Sequence, residues 1–219
     1  MTTSHAQRHL TLARLALIGL AAIAALSLSA CGKKVAAITS DDVSEGNPGA
    51  KVTVIEYASV ACPICAQVNA KVMPAFKAKY VSTGKVLYIY RPMLTGSRSV
   101  AAAGHLLAAC AGKDKYFNVI DAIMRAQGEM DQGGPPEQYT NARPVLERIA
   151  ASSGLSESQF NTCVTDPKGL THLSDLNDKY LAKDGIEGTP TFIINGKKLE
   201  GTPQDISFFD NAIQPLLKK

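Results

Sequence analysis

The sequence has no strong excess of charge of one sign. Its 219 residues contain 23 lysines and arginines against 19 aspartates and glutamates, which gives a formal net charge of +4. A nearly balanced surface offers no electrostatic footprint for nucleic acid, so the sequence does not predict that class of partner. The chain also has no internal repeat, which excludes a solenoid.

The sequence also lacks an apolar run long enough to cross a membrane comfortably. Residues 15–29 form an apolar stretch of about 15 residues, whereas a membrane-spanning helix needs about 20. Two positive charges, Arg8 and Arg14, precede this stretch, and no acidic residue does. The pattern predicts an export signal over residues 1–30, with an uncleaved transmembrane anchor as the alternative.

The end of this signal, LSAC at residues 28–31, resembles the lipobox of bacterial lipoproteins. In those proteins the cysteine becomes the lipidated first residue of the mature chain, so the resemblance implies lipidation of Cys31. Ordinary cleavage without a lipid is the alternative. We therefore expect a periplasmic protein anchored to a membrane through Cys31, with residues 31–48 as a small, polar linker.

Cysteine is scarce, with five residues in the chain, and only Cys62 and Cys65 lie close together in sequence. The remaining candidate ligands, Cys110, Cys163, His105 and His172, form no second close pair, which disfavours a four-ligand zinc site. A purely structural disulfide between Cys62 and Cys65 would close a ring with two intervening residues and remove little entropy from the unfolded chain. A redox centre is therefore the favoured interpretation.

The residues around this pair predict a strand, a helix and a second strand. Residues 51–58 and 85–91 are rich in β-branched and aromatic residues, which indicates buried strands. Between them, apolar residues recur at helical spacing from Pro63 until Gly84, with a bend expected at Pro74. A strand, helix and strand in this order predict a βαβ unit with parallel strands.

The middle of the chain has helical periodicity and almost no strand signal. Helices are expected there at residues 99–111, 116–130, 144–152 and 169–183. Strand character returns at residues 191–195, where Asn195-Gly196 is typical of a two-residue hairpin turn, and a last helix is expected over residues 203–217. The pattern indicates a small α/β sheet domain interrupted by a helical insertion.

The position of the cysteine pair, between a strand end and a helix start, favours redox chemistry. A sulfur there lies near unpaired backbone N–H groups and the positive end of the helix dipole, which stabilise a thiolate. Cys62 is therefore the predicted nucleophile. Cys65, one turn into the helix, is predicted to be the buried thiol that resolves a mixed disulfide.

Two segments carry a family resemblance: VTVIEYASVACPIC at residues 52–65 and GIEGTPTFIINGK at residues 185–197. Together with the bent helix and the helical insertion, they resemble the DsbA-like thiol:disulfide oxidoreductases of the thioredoxin superfamily. The resemblance implies an α/β, thioredoxin-like fold with an inserted all-helical domain. The expected domains are residues 49–96 with 185–219 for the thioredoxin-like part, and 97–184 for the insertion.

The resemblance also implies further site residues. Thr189 and Pro190 match the family's Thr-cis-Pro loop, which lies against the cysteine pair and can bind an extended substrate chain. Glu56 matches an acidic residue beneath the site that exchanges a proton with the resolving thiol, Cys65. An exposed strand residue is the alternative interpretation of Glu56. The middle of the second strand has no lysine to pair with it, whereas some relatives do.

Two further side chains bear on the chemistry. The strongest oxidants of the family carry histidine where this chain has Ile64. A neutral side chain removes one source of thiolate stabilisation, so we expect a less oxidising disulfide. His105 is interpreted as a packed or surface residue, not a catalytic one.

The expected function is an extracytoplasmic thiol:disulfide oxidase that transfers the Cys62–Cys65 disulfide to reduced or unfolded exported proteins. The resemblance implies a monomer without a cofactor, reoxidised by a DsbB-like membrane protein. A reductase or isomerase kept reduced by a membrane donor is the enzymatic alternative. A lipoprotein that binds thiols or metal without turnover is the other.

Cys110 and Cys163 remain once the lipid and the active site are assigned. Both lie in the helical layer of the insertion, and an exported chain permits oxidation, so a second, non-catalytic disulfide is expected between them. Some DsbA-like proteins have such an additional pair in this domain. Two buried free cysteines acting as small apolar side chains are the alternative.

Overall fold

A central sheet brings together segments from both ends of the sequence. The computed structural model describes residues 38–131 and 139–218. The strands are β1 (Val43–Gly46), β2 (Val52–Ala58), β3 (Val86–Pro92), β4 (Thr191–Ile194) and β5 (Lys197–Lys198), in the spatial order β1-β3-β2-β4-β5. The central pair β2 and β3 is parallel, as the βαβ pattern predicts, and every other pairing is antiparallel.

The edge strand β1 lies inside the segment that the sequence assigns to a linker, residues 31–48, so that assignment needs correction. β1 pairs antiparallel with β3, with Val43 opposite Tyr90 and Gly46 opposite Leu87. The strand has the sequence VSEG and alternates half-buried and exposed residues. Four residues with a single β-branched side chain carry little strand signal, and pairing with β3 determines their conformation.

The chain between β2 and β3 is a broken helix. It comprises α1 (Pro63–Lys71), α2 (Met73–Phe76) and a π-helical turn (Lys77–Val81). Pro74 has no N–H to donate within the helix, which accounts for the interruption that the sequence predicts. Gly84 follows with a φ of +71°, a left-handed conformation that suits glycine and ends the segment.

The predicted helical insertion is present between β3 and β4. The helices are α3 (Arg98–Cys110), α4 (Lys113–Arg125), α5 (Gln127–Asp131), α6 (Ala142–Ser152), α7 (Glu157–Val164) and α8 (Pro167–Ala182). The helix expected over residues 116–130 is two helices that meet at Ala126. The helical periodicity does not predict α7, although Ser156 and Gln159 form a capping box at its start.

A disulfide joins two helices of the insertion. Cys110 at the end of α3 is bonded to Cys163 in α7, with Cα atoms 6.3 Å apart and a sequence separation of 53. The bridge closes a long loop across the insertion, the arrangement in which a cross-link removes most entropy from the unfolded chain.

The sheet separates two apolar clusters. One face of the central strands, including Val54 and Tyr88, packs into the larger cluster, which also receives Phe209 and Ile213 from the last helix, α9 (Ser207–Leu217). The opposite face packs against α8 in a smaller cluster that includes Ile55, Tyr57, Ile89 and Tyr180. Alternate residues of each strand therefore serve opposite faces, as strand geometry requires.

A buried arginine joins the sheet to the segment before β1. Arg91, at the end of β3, is 2% exposed and makes two hydrogen bonds to the carboxylate of Asp42, of 2.7 and 2.8 Å. Its guanidinium also donates to the Tyr57 hydroxyl at 2.6 Å and lies 3.4 Å from the Asp184 carboxylate. This network links the chain before β1, both central strands and the segment after α8.

Within the described ranges, no helix is long and apolar enough to cross a bilayer. The export signal predicted at residues 1–30 and the lipidation predicted at Cys31 lie outside the described residues.

Candidate active site

The cysteine pair lies where β2 gives way to α1. β2 ends at Ala58, residues 59–62 form a loop, and Pro63 is the first residue of α1, where a missing N–H costs no helical hydrogen bond. Cys62 is the N-cap residue, and its sulfur accepts a hydrogen bond from the Cys65 backbone N–H at 3.4 Å. Both cysteines are free thiols; Cys62 is 8% exposed and Cys65 is fully buried.

The Thr189–Pro190 loop lies against this pair. The peptide bond between Thr189 and Pro190 is cis, and the Cys62 thiol donates to the Thr189 carbonyl at 3.5 Å. The hydroxyls of Thr189 and Thr95 are 2.6 Å apart, which ties the loop to the segment after β3. The family resemblance implies the cis bond and the contact with the sulfur, and both are present.

The two thiols have opposite electrostatic environments. Hydrogen bonds from the Cys65 thiol, from Thr189 and from the backbone N–H groups of Ile64 and Cys65 outweigh burial and lower the pKa of Cys62 to about 6. Burial, the hydrogen bond to Cys62 and the negative charge of the Cys62 thiolate raise the pKa of Cys65 well above its usual value. Near neutral pH, one thiol is therefore ionised while the other keeps its proton.

Glu56 is buried, not exposed on a strand face. It is 2% exposed, and its carboxylate accepts a hydrogen bond from the hydroxyl of Tyr88 on β3. Burial raises the pKa of Glu56 to about 7, although the bond to Tyr88 and the nearby Lys77 act in the opposite direction. The charge of Glu56 also raises the pKa of Cys65, so the carboxyl and the buried thiol interact.

Sequence reasoning identified Glu56 but missed its partner. Tyr88 stands in the middle of β3, where the sequence offers no lysine. The register pairs Val54 with Tyr88 and Glu56 with Tyr90, so Glu56 and Tyr88 are diagonal neighbours on one face of the sheet. Only the strand register, which the local sequence does not contain, could have assigned this contact.

The loop before Cys62 is closely packed. The Ser59 hydroxyl donates to the Thr95 carbonyl at 2.8 Å and accepts from the Ala61 N–H at 3.2 Å. A Cβ atom at Gly96, which has a φ of +74°, would lie 2.2 Å from the Ala61 carbonyl oxygen, so only glycine fits there. The conformation of residues 59–62 is thus defined by the chain after β3 as well as by β2.

The structure also shows the environments of Ile64 and His105. Ile64, between the cysteines, is 49% exposed and presents an apolar side chain next to the nucleophile. His105 is packed, as expected: it is 2% exposed, and its Nε2 atom lies 3.2 Å from the Met93 carbonyl oxygen. Burial lowers the pKa of His105 to about 4, which keeps the ring neutral.

Comparison with known proteins agrees with this geometry. A family model described as Thioredoxin matches residues 39–214, most of the chain. The structure of Wolbachia pipientis alpha-DsbA1 superposes with a TM-score of 0.73 and 29% sequence identity, covering 83% of this chain and 93% of that one. The chain is a DsbA-like member of the thioredoxin superfamily.

Curated relatives of this DsbA-like protein carry related names. A putative protein-disulfide oxidoreductase of Rickettsia bellii is 30% identical over 165 residues, which are 74% of this chain and 60% of the relative. A second one, from Rickettsia typhi, is 31% identical over 164 residues, which are 74% of this chain and 58% of the relative. The chain therefore spans somewhat more than half the length of these relatives.

Proposed function

We propose that this protein is an extracytoplasmic thiol:disulfide oxidase that transfers its Cys62–Cys65 disulfide to exported proteins. The observation that carries the proposal is the position of the Cys62 sulfur. It caps α1, accepts the Cys65 N–H at 3.4 Å and lies 3.5 Å from the Thr189 carbonyl, with its pKa lowered to about 6. An ionised thiol that is partly accessible, next to a buried thiol that keeps its proton, is the arrangement that supports thiol–disulfide exchange.

The proposed reaction begins when a substrate thiolate attacks the sulfur of oxidised Cys62. The bond between Cys62 and Cys65 breaks, a substrate–Cys62 disulfide forms, and Cys65 leaves as a thiolate. Glu56, whose pKa is about 7, supplies the proton that Cys65 needs and takes it back when the pair is reoxidised.

A second substrate thiolate then attacks the substrate sulfur of the mixed disulfide, and Cys62 leaves as the stabilised thiolate. The substrate has lost two electrons and gained a disulfide, while the Cys62–Cys65 pair has gained two electrons. During these steps, Thr189 and Pro190 hold the substrate chain beside Cys62.

The lowered pKa of Cys62 supports the oxidase direction over the reductase or isomerase direction. An interaction that stabilises the thiolate stabilises the reduced protein, and this makes the Cys62–Cys65 disulfide a stronger oxidant. Since Ile64 contributes no charge to the site, we expect a potential below that of DsbA, about −120 mV, and above about −200 mV.

The proposed location and partners rest on the sequence and the resemblance. A signal over residues 1–30 and a lipid on Cys31 would place the enzyme in the periplasm, at a membrane. There, as a monomer without a cofactor, it would be reoxidised by a DsbB-like membrane protein. A Cys31→Ser variant should move from the membrane fraction to the soluble fraction after export; retention of the variant in the membrane would contradict the lipid anchor.

Two assays test the proposed activity. The equilibrium of the Cys62–Cys65 pair with reduced and oxidised glutathione should give a potential above about −200 mV, and the oxidised protein should introduce a disulfide into a reduced, unfolded two-cysteine protein. Cys65→Ser should accumulate a mixed disulfide with that substrate, and Cys62→Ser should form none. A potential near about −270 mV, or no exchange at all, would contradict the oxidase.

A further inference from the structure

Two side chains from the helical insertion hold the loop before Cys62. Gln127, the first residue of α5, donates its Nε2 group to the Val60 carbonyl at 2.6 Å and to the Cys62 carbonyl at 3.2 Å. The Tyr139 hydroxyl donates to the Ala61 carbonyl at 3.0 Å. Three successive backbone carbonyls therefore accept from the insertion. That of Cys62 also accepts the Ala66 N–H of α1 at 3.1 Å, so the insertion matters most for the carbonyls of Val60 and Ala61.

Both donors are buried with little freedom to bond elsewhere. Gln127 is 8% exposed and Tyr139 is 5% exposed. A side-chain amide nitrogen has two hydrogens, and those of Gln127 have two acceptors within this loop. An unpaired polar group is costly inside a protein. The buried amide of Gln127 is therefore stable only while the carbonyls of this loop accept its hydrogen bonds.

The direction of these carbonyls matters for the charge on Cys62. A carbonyl oxygen carries partial negative charge, and the Cys62 sulfur already accepts a backbone N–H on its helical side. One carbonyl oxygen, that of Thr189, already lies 3.5 Å from the sulfur. Drawing the carbonyls of residues 60–62 to the insertion keeps further oxygens from facing the thiolate. A peptide unit that turned over would bring an oxygen toward the sulfur and repel the negative charge.

We propose that Gln127 and Tyr139 are positioning residues that hold the carbonyls of residues 60–62 toward the insertion and away from the Cys62 sulfur. Neither residue takes part in the exchange itself; both act through the loop. The proposal rests on the proposed function and deepens it, because it makes the insertion part of the machinery that stabilises the thiolate.

The test measures the Cys62 pKa in the reduced, full-length protein, from the ultraviolet absorbance of the thiolate and from the pH dependence of its alkylation. Gln127→Met keeps the size of the side chain and removes both donors, and Tyr139→Phe removes only a hydroxyl. Each change should raise the pKa of Cys62. The alkylation rate at about pH 5 should fall roughly threefold for each and about tenfold for the double variant, since one pKa unit is a tenfold change in thiolate.

Tyr80→Phe provides the matched control for Tyr139→Phe. Tyr80 is 1% exposed, and its hydroxyl donates to the Asp210 carboxylate of α9, so this variant also loses the hydrogen bond of a buried hydroxyl. This contact joins the π-helical turn to α9 and involves neither residues 59–62 nor the segment after β3. Tyr80→Phe should therefore lower the melting temperature and leave the Cys62 pKa unchanged.

The outcomes separate this inference from the proposed function. If Gln127→Met and Tyr139→Phe behave like Tyr80→Phe, with lower melting temperatures and an unchanged pKa, the two residues are merely structural and the inference is overturned. If Gln127→Met fails to fold, Tyr139→Phe decides by the same measurement. A wild-type Cys62 with an ordinary thiol pKa would instead contradict the proposed function itself.

Discussion

The hydroxyl of Tyr88 donates a hydrogen bond to the carboxylate of Glu56, and both side chains are buried inside the sheet domain. A lysine in place of Tyr88 would bring a full positive charge and hold the carboxyl ionised. Tyrosine offers a donor without that charge, so burial dominates and the pKa of Glu56 is raised to about 7. A carboxyl that titrates near neutrality can both give and take a proton, which suits exchange with Cys65.

Glu56→Gln should stabilise the reduced protein above neutral pH. Between the usual pKa of 4.5 and the raised value of about 7, the unfolded chain releases the proton while the folded chain retains it, so folding weakens as pH rises. Glutamine does not ionise. The variant should therefore gain on the order of 3 kcal/mol of unfolding free energy over the wild type between about pH 4 and pH 8. Urea denaturation at several pH values measures this; a difference that does not vary with pH would contradict the burial of an ionisable Glu56.

Tyr88→Phe should raise the pKa of Glu56. The hydrogen bond from Tyr88 lowers the pKa of Glu56, so its removal should raise that pKa above about 7. Infrared difference spectra of the carboxyl band across the pH range measure the value, with Glu56→Gln to identify the band. A pKa that falls in Tyr88→Phe would show that the tyrosine does not stabilise the charged carboxylate.

Arg91→Lys should destabilise the fold although the charge is kept. Lysine cannot make the two parallel bonds to Asp42 or reach Tyr57 from the same position. We expect a loss of about 2 kcal/mol, the scale of a buried bond to a charged group. Arg125→Lys is the control, because Arg125 is exposed and pairs with Asp121 one turn away, a contact whose weakening should cost less than about 0.5 kcal/mol. Equal losses in the two variants would contradict the special role of the buried network.

Replacing Cys110 and Cys163 together by serine should lower the melting temperature without abolishing exchange. The bridge closes a loop of 53 residues, for which the chain-entropy model gives about 4 kcal/mol. In the oxidised protein with Cys62 and Cys65 replaced by serine and Cys31, the predicted lipid site, removed, thiol titration should find no free cysteine. Two free thiols in that protein would rule the bridge out.

The sequence predicts the elements around the site because their signals are local. The β-branched run before Cys62, the helical spacing up to Gly84 and the Asn195-Gly196 turn each specify their own backbone. The turn residues Asn195 and Gly196 have φ values of +45° and +83°, as a two-residue hairpin requires. The cysteine pair and the Thr189–Pro190 loop are far apart in sequence, and only the family resemblance predicts that they meet.

The contacts that tune the site depend on register and packing, which the sequence does not display. Tyr88 contacts Glu56 only because β2 and β3 pair in one register. Gln127 bonds to Val60, in the loop before Cys62, although the two residues are 67 positions apart in the sequence. The edge strand β1 is missed for a related reason, since β3 and not its own composition determines its structure. Local sequence patterns thus predict the backbone at the site, while contacts with residues distant in sequence determine the pKa values of its side chains.

The central claim is that Cys62 is the ionised nucleophile and Cys65 its shielded partner. Limited alkylation of the reduced protein between about pH 4 and pH 9, with each modified cysteine identified by mass spectrometry, tests it most directly. We expect Cys62 to react first, with half-maximal reactivity near pH 6, while Cys65 stays unmodified until the protein unfolds. Equal rates at the two cysteines, or a midpoint near the ordinary thiol value of about 8.5 for Cys62, would contradict the account.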